Sequence, residues 1–139
     1  MLGHDVKYFT SINDKQLIKI AKVEQRVLLT RDFELYQQAT ARGVDVFVVE
    51  GESETEKLAN LAKQFNFKLE IDVNLSRCPK CNSRIKWIPK DKVEGRVLKG
   101  TFSSYNDFWE CPNCEQLYWQ GAHWKRICKT LEASADLMN

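Results

Sequence analysis

The sequence predicts an α/β fold with a mostly parallel sheet, followed by a small β module that is built around cysteines. Two observations support this prediction. Short apolar runs alternate with helical stripes through the first part of the chain, and two C-x-x-C pairs lie in the rest. We therefore divide the 139 residues into an α/β domain over 1–75 and a cysteine-rich module with a terminal helix over 76–139.

Composition excludes several classes of protein. The chain is 43% hydrophobic and 29% charged, which is ordinary for a globular protein. It has no run of 18 apolar residues, so we expect no membrane span. The first residues lack the basic-then-apolar layout of a signal peptide, which favours a cytoplasmic protein with reduced thiols. The net charge of +2 is too balanced to indicate a nucleic-acid partner by itself.

The apolar runs of the first domain are rich in the β-branched and aromatic residues that form buried parallel strands. The four predicted strands are Val6–Phe9, Val27–Thr30, Val44–Val49 and Phe67–Ile71. Three helices alternate with them, because apolar residues recur there at a period of 3.6 residues. These helices follow Asn13-Asp14, Asp32 and the capping pattern Ser53-Glu54-Thr55-Glu56. Gly43 stands where the second helix needs a C-cap, and the order of elements implies right-handed crossovers.

Two acidic residues stand at related positions in this pattern. Asp14 follows the first predicted strand and Asp32 follows the second, so both are expected beyond the carboxyl edge of the sheet, where such folds bind ligands. Converging carboxylates suit Mg²⁺ or Mn²⁺, which take oxygen ligands and assist phosphodiester hydrolysis. A second interpretation stays open for each residue, because an aspartate at a helix start also caps free N–H groups.

The second part of the chain contains Cys78-Pro-Lys-Cys81 and Cys111-Pro-Asn-Cys114, which are separated by 29 residues. Each pair predicts a knuckle turn that brings two thiolates to one ion, so the two pairs predict a tetrahedral four-sulfur site. The strands that we expect around the pairs are Arg84–Ile88, Gly95–Leu98, Phe108–Glu110 and Gln116–Trp119. This arrangement is typical of a zinc ribbon, in which a structural Zn²⁺ supplies folding free energy that the small core lacks.

Three alternatives to a zinc site are compatible with the cysteine pairs to different degrees. Disulfides are disfavoured because nothing in the sequence indicates secretion. A redox C-x-x-C motif needs only one pair. An iron or iron–sulfur site shares the four-thiolate geometry, and the spacing leaves it open.

Aromatic and basic residues follow the second pair, and they have two possible uses. They include Trp119, His123, Lys125 and Arg126. Such residues stack on bases and contact phosphates in RNA-binding proteins. Alternatively, Tyr118 and Trp119 form the small core of the ribbon itself. Residues 78–139 carry a net charge of +3, but four zinc-bound thiolates would make the cluster −2, so bulk charge adds little to the nucleic-acid interpretation.

The motifs together resemble those of one family. They are Leu28-Leu29-Thr30-Arg31-Asp32, the segment Ser76-Arg77-Cys78-Pro-Lys-Cys81-Asn82, the second cysteine pair, and Tyr118-Trp119-Gln-Gly121-Ala-His123. The chain resembles the Mut-seven C-terminal ribonuclease domain, a PIN-like nuclease fold with a C-terminal zinc ribbon. The resemblance implies a PIN-like three-layer fold and cleavage of RNA that depends on Mg²⁺ or Mn²⁺.

The resemblance also implies roles for individual residues. Asp14 and Asp32 match acidic ligands of the catalytic metal, and the four paired cysteines match the ligands of the zinc. Thr30 is expected near the metal and Arg31 at a phosphate. The other RNA-binding candidates are Arg77, Trp119, His123, Lys125 and Arg126.

Family members begin with a strand that carries an acidic ligand and a helix that leads into a Leu-Gly-x-Asp stretch. Here Met1-Leu2-Gly3-His4-Asp5 opens the chain, so we expect the first strand and helix of the family to be absent. The alternative function is a non-catalytic RNA- or protein-binding module on a PIN-like scaffold. The sequence indicates no oligomeric state.

Overall fold

A computed structural model describes every residue from Met1 to Asn139. The chain is mixed α/β, with a two-stranded parallel sheet and a separate three-stranded antiparallel sheet. It divides into two compact units. The α/β unit is Tyr8–Phe67, and the cysteine unit combines Met1–Lys7 with Lys68–Leu137. The sequence-based division at residue 75 stays a prediction, whereas these compact units join both 1–7 and 68–75 to the cysteine module.

The α/β unit has three helices and two strands. They are α1 (Asp14–Val23), β1 (Leu28–Thr30), α2 (Phe33–Ala41), β2 (Val46–Val48) and α3 (Glu54–Phe65). The strands pair in parallel, with Leu28 opposite Val46 and Thr30 opposite Val48. The carboxyl ends of β1 and β2 therefore lie at the same edge of the sheet.

Local capping determines where these helices begin and end. Asn13 and Gln16 form a reciprocal capping box at the start of α1. The side chain of Asp32 caps α2, and that of Ser53 caps α3 by accepting the N–H of Glu56. After α2, Gly43 has a φ of +74°, which glycine adopts without steric cost. The predicted helix starts and the glycine C-cap are thus confirmed.

Apolar side chains attach helices to both faces of the parallel sheet. On one face, α1 and α2 enclose a core whose buried members are Ile18, Ala21, Leu28, Leu35, Ala39 and Val44. Phe47 faces the other way in β2, and its ring meets Phe65 of α3 edge to face at 5.5 Å. This packing fixes the position of the residues that follow β1 and β2.

Two of the predicted strands, Val6–Phe9 and Phe67–Ile71, are wrong. A strand needs a neighbouring strand that pairs with its backbone groups, and neither segment is paired in a sheet. The N–H of Val6 instead donates to Oδ1 of Asn82, and Tyr8 is 84% exposed. The second segment follows Asn66, whose left-handed φ of 52° ends α3, and within it only Leu69 is buried.

The cysteine unit contains the remaining elements. They are β3 (Lys86–Ile88), a 3₁₀ turn (Lys90–Lys92), α4 (Lys99–Ser104), β4 (Phe108–Glu110), β5 (Leu117–Tyr118) and α5 (Ala122–Leu137). The strands form an antiparallel sheet in the order β3-β4-β5. The predicted strand Gly95–Leu98 is wrong, because Gly95 has a φ of +80° and the segment turns into α4. No helix of the chain combines the length and the apolar character that a bilayer crossing needs.

The two faces of the antiparallel sheet bury different cores. Ile85 and Trp109 pack with Cys78 and Cys111 on one face. The opposite face buries Ile88, Val93, Phe108 and Leu117. Because side chains alternate along a strand, neighbouring residues such as Phe108 and Trp109 serve different cores. Cys78 and Cys111 are thereby held against an apolar surface.

The segment Met1–Lys7 is attached to residues 76–82 of the same unit. The contacts are Ser76 Oγ to the Met1 carbonyl at 2.7 Å, Arg77 Nε to the Gly3 carbonyl at 3.1 Å, and Val6 N to Asn82 Oδ1 at 3.0 Å. Gly3 has a φ of +89°, and a Cβ there would lie 2.6 Å from the carbonyl oxygen of Leu75. Only glycine therefore allows this close approach of the two backbones.

Candidate metal centre

The first cysteine pair forms a compact turn, which we name the first knuckle (Cys78–Ser83). The N–H of Asn82 donates to the carbonyl of Cys78 at 2.8 Å, and the N–H of Cys78 donates to the carbonyl of Ser83 at 2.8 Å. Asn82 has a φ of 67°, a left-handed conformation that asparagine tolerates better than most residues. The turn directs both sulfurs of the pair to one side.

The second pair repeats this turn, and we name it the second knuckle (Cys111–Gln116). Glu115 N donates to the Cys111 carbonyl at 2.8 Å, and Cys111 N donates to the Gln116 carbonyl at 2.9 Å. Glu115 has the matching left-handed φ of 64°. The shared Cys-Pro-x-Cys sequence thus corresponds to a shared backbone path, as the spacing predicts.

The two knuckles bring four sulfurs together. All four Sγ atoms lie within 4.8 Å of one another. Cys78 and Cys114 are 3.5 Å apart, and Cys81 and Cys111 are 3.2 Å apart. A tetrahedral zinc with Zn–S bonds of about 2.3 Å separates its sulfurs by about 3.8 Å. The two sulfurs of a disulfide are about 2.05 Å apart. These sulfurs are farther apart, and all five cysteines are free thiols. The cluster could therefore hold a zinc ion, and four sulfur ligands would complete its coordination.

Burial and a hydroxyl group distinguish the sulfurs. Cys78 is 2% exposed and Cys111 is fully buried, whereas Cys114 is exposed. Tyr118 on β5 reaches the cluster, with its hydroxyl oxygen 2.9 Å from Cys78 Sγ. Burial of Cys78 raises its pKa, but hydrogen bonds from Tyr118 and from the knuckle backbone outweigh this effect, so the pKa lies below its usual value. Sequence reasoning missed this role of Tyr118.

The remaining thiols differ in acidity. Hydrogen bonds from the Asn113 side chain and from Ser83 lower the pKa of Cys81 to about 5. The backbone N–H of Gln116 favours the Cys114 thiolate, yet desolvation and the neighbouring sulfurs raise the pKa of Cys114 to about 12. Without a cation, the cluster therefore retains protons. A bound cation favours the thiolate form of all four sulfurs.

This difference in acidity predicts the order of alkylation in the metal-free protein. At pH 7 the thiolate is the reactive form, so we expect iodoacetamide to modify Cys81 before Cys114, although Cys114 is the more exposed. Peptide mass spectrometry after short exposures measures this order. Faster modification of Cys114 at pH 7 would contradict the assignment. With zinc bound, all four sulfurs should react slowly.

Asp32 lies beyond the carboxyl end of β1, as predicted. Its Oδ1 accepts the N–H groups of Glu34 at 2.9 Å and Leu35 at 3.4 Å, so the capping interpretation applies to it. Its own N–H donates to Oγ1 of Thr30 at 2.9 Å. Both capping bonds use the same oxygen. Oδ2 of Asp32 makes no hydrogen bond and remains available for a cation.

Asp14 is the first residue of α1, but it does not cap that helix. Asn13 and Gln16 form the capping box there, so the exposed carboxylate of Asp14 is not used as a cap, although its charge in the first turn suits the helix dipole. Neither Asp14 nor Asp32 belongs to a group of three or more side chains that could share a metal ion; the four cysteines form such a group. The predicted convergence of the two aspartates stays a prediction.

The sheet register also places a further acidic residue at the edge where Asp32 lies. Since Thr30 pairs with Val48, Asp32 and Glu50 each lie two residues beyond the same edge. Glu50 is exposed. The sequence signal that could have identified it is its position after a predicted strand, which is the same kind of position that Asp32 has. Arg31 donates to the carbonyl of Gly51 at 3.0 Å, which holds the loop after β2 in place.

The predicted RNA-binding residues fall into two groups. Trp119 packs against the core that contains Phe108, and the centroids of the two rings are 6.2 Å apart. This position agrees with the core interpretation of Trp119. Arg77 is occupied by backbone carbonyls. The exposed candidates on α5 are His123, Lys125 and Arg126. Trp87, which the sequence reasoning passed over, is 58% exposed on β3.

The fold and the site define a small α/β protein that carries a separate four-cysteine module suited to a metal ion. The chain belongs to the Mut7-C RNAse domain family, whose model matches residues 1–131. This match confirms the resemblance seen in the sequence and indicates an RNase-related role. Comparisons with curated proteins and with solved structures find no significant match.

Proposed function

We propose that the protein is a metal-dependent ribonuclease with a PIN-like fold. It hydrolyses phosphodiester bonds of RNA with Mg²⁺ or Mn²⁺ bound at Asp14 and Asp32, and its zinc ribbon aids RNA binding. The observation that carries this proposal is the family match over nearly the whole chain. RNA is then the substrate, and zinc is the structural ion of the cysteine cluster.

The chemistry of the acidic residues suits this role. Asp32 keeps one carboxylate oxygen free while the other caps α2, and Asp14 is not needed as a cap. Magnesium keeps several of its waters, so a few carboxylates are enough to hold it. When bound, such an ion lowers the pKa of a water and neutralises charge on the phosphate. Glu50 offers a third carboxylate at the edge where Asp32 lies.

The matching test replaces Asp32 with asparagine. Asparagine is as good an N-cap as aspartate, so Asp32→Asn should retain α2 while weakening the proposed metal site. We expect cleavage of end-labelled single-stranded RNA with Mn²⁺ to fall by about 100-fold or more, since a metal ion contributes several kcal/mol to such reactions. Omission of Mn²⁺ is a better control than a chelator, which would also strip the cysteine cluster.

Asp45→Asn is the matched control, because Asp45 is exposed and immediately precedes β2, at the opposite edge of the sheet. It should cleave RNA like the original chain. Equal activity of the Asp32 and Asp45 variants would contradict the proposal and would assign any cleavage to a contaminant.

One observation favours a second candidate, a non-catalytic RNA-binding module. The acidic residues of the α/β unit do not form a cluster comparable to that of the cysteines. This candidate predicts RNA binding that is indifferent to Mg²⁺ or Mn²⁺, together with no cleavage by the original chain. Cleavage that requires both Mn²⁺ and Asp32 would exclude it.

A further inference from the structure

Strand β3 presents an exposed indole at the outer edge of the antiparallel sheet. Trp87 is 58% exposed, although Ile85 and Ile88 beside it are 5% and 8% exposed. In the order β3-β4-β5, β3 has a strand neighbour on one side only. The backbone bridge between Arg77 and Arg84 lies just before the strand, so the edge is open at Trp87 itself. The indole is therefore accessible while its backbone is anchored in a packed sheet.

Aromatic neighbours support this indole from inside the sheet. Trp87 lies directly opposite Trp109, and Trp109 lies directly opposite Tyr118. Trp109 is only 9% exposed and packs beside the cysteine cluster. Three aromatic residues thus form a row across one face, and Trp87 is its exposed end. A ring on a rigid strand loses little conformational freedom when a ligand stacks on it.

The sequence around this strand is strongly basic. Residues 77–90 contain five Lys or Arg residues and no Asp or Glu. Three of the five have structural partners: Arg77 donates to backbone carbonyls, Lys80 donates to Gln116 at 2.7 Å, and Lys90 donates to Asn106 at 3.1 Å. Arg84 and Lys86 are exposed, and their cationic groups have no hydrogen bond or ion pair.

The acidic residue opposite Lys86 does not cancel its charge. Glu110 pairs with Lys86 in the sheet register, but its carboxylate forms an ion pair with Arg96. Lys86 is therefore free for an external anion. Side chains alternate along a strand, so Trp87 and the basic pair project to opposite sides of the open edge. A polynucleotide has the same arrangement, with bases on one side and phosphates on the other.

We propose that the open edge of β3 binds single-stranded RNA, with Trp87 stacked on an unpaired base and Arg84 and Lys86 at phosphates. Stacking on an aromatic ring beside a basic track is how proteins hold single strands without reading their sequence. A β-strand of a partner protein fits this edge less well, because β3 is only three residues long and Lys86 and Pro89 discourage strand addition. The inference rests on the proposed RNA function and specifies where RNA is held.

The test measures the binding of fluorescent oligouridylate by anisotropy, with zinc-loaded protein in buffer without Mg²⁺, Mn²⁺ or chelator. We expect Trp87→Ala to weaken binding at least about fivefold and Trp87→Phe to restore most of it, because phenylalanine still stacks. An abasic oligomer of equal length should bind the original chain and Trp87→Ala equally. This comparison separates base stacking from a general loss of structure.

Charge and position have their own controls. Arg84→Ala and Lys86→Ala should each reduce the slope of log affinity against log salt by about 0.7. Tyr8→Ala, which removes an aromatic residue that is 84% exposed in the α/β unit, should bind like the original chain. So should Lys19→Ala, which removes an exposed lysine of α1.

The outcomes separate this inference from the proposed function. The β3 site is wrong if Trp87→Ala binds oligouridylate with the affinity of the original chain. It is also wrong if Trp87→Ala loses affinity for oligouridylate and for the abasic oligomer by the same factor. Both conclusions hold even when cleavage depends on Asp32. If the original chain neither binds nor cleaves RNA, the proposed function fails together with the site. A change in self-association alone after Trp87→Ala would point to a protein partner and overturn the inference.

Discussion

Replacing Cys111 with serine is expected to abolish zinc binding and to unfold the cysteine unit. Cys111 is fully buried and lies in one core with Cys78, Ile85 and Trp109. A four-sulfur zinc site contributes an apparent ~10–16 kcal/mol of folding free energy, which is as large as the total stability of a typical domain. A serine at this position leaves the ion with three thiolates and puts a hydroxyl in an apolar core.

Three measurements check this result. Zinc content by a colorimetric assay should fall from a full equivalent to background. Near-ultraviolet circular dichroism should lose the signal of packed tryptophans such as Trp109, and hydrogen exchange should accelerate in the cysteine unit. Cys128→Ser is the matched control, because Cys128 lies on α5 outside the cluster. A Cys111→Ser protein that keeps its zinc and its exchange protection would contradict the role of the cluster.

Removal of the Tyr118 hydroxyl should weaken zinc binding by about 10- to 100-fold without unfolding the protein. Groups that hydrogen-bond to metal ligands commonly have effects of this size. The hydroxyl oxygen of Tyr118 lies 2.9 Å from the buried Cys78 sulfur, and the hydroxyl is the donor when Cys78 is a thiolate. Burial and the neighbouring sulfurs raise the pKa of Tyr118, so its hydroxyl keeps the proton that it donates.

The pH dependence of zinc release gives a second readout. In Tyr118→Phe, the Cys78 thiolate loses a hydrogen bond, so its pKa rises and protons compete better with zinc. The midpoint of zinc release should therefore move to higher pH. Competition with a chromophoric chelator measures both quantities. Tyr105→Phe removes a hydroxyl beside the core that contains Phe108, on the face of the sheet away from the cysteines. This variant should behave like the original chain. Equal affinities of the Tyr118 and Tyr105 variants would refute the assignment.

The parts of the fold that the sequence predicts correctly are those with local signals. The starts of α1, α2 and α3 depend on side chains within a few residues, such as Asp32 and Ser53. The predictions of strands at Val6–Phe9 and Gly95–Leu98 are wrong, because a strand forms only where another part of the chain pairs with it. Helix α4 has six residues, contains Gly100 and lacks a side-chain cap, so its sequence carries little helical signal.

The candidate site divides in the same way. Spacing alone predicts that the four cysteines form one site, because each knuckle is a local turn and the Cys-Pro-x-Cys sequence occurs in both. The contact of Tyr118 with Cys78 joins residues that are 40 positions apart, and no periodicity encodes it. Exposure of Trp87 depends on β3 being the outermost strand, whereas alternation with Ile85 suggests burial.

The α/β unit is an insertion within the cysteine unit, because the chain leaves that unit after Lys7 and returns to it at Lys68. Docking Met1–Lys7 on residues 76–82 therefore closes a loop that contains the whole of Tyr8–Phe67. The entropy of closing a flexible loop rises with its length, and a folded insertion acts as a much shorter one. Folding of the two units is thus expected to be thermodynamically linked through the chain connections at Lys7 and Lys68. A fragment that starts at residue 76 would lack this segment and expose the Ser76 hydroxyl that now binds the Met1 carbonyl.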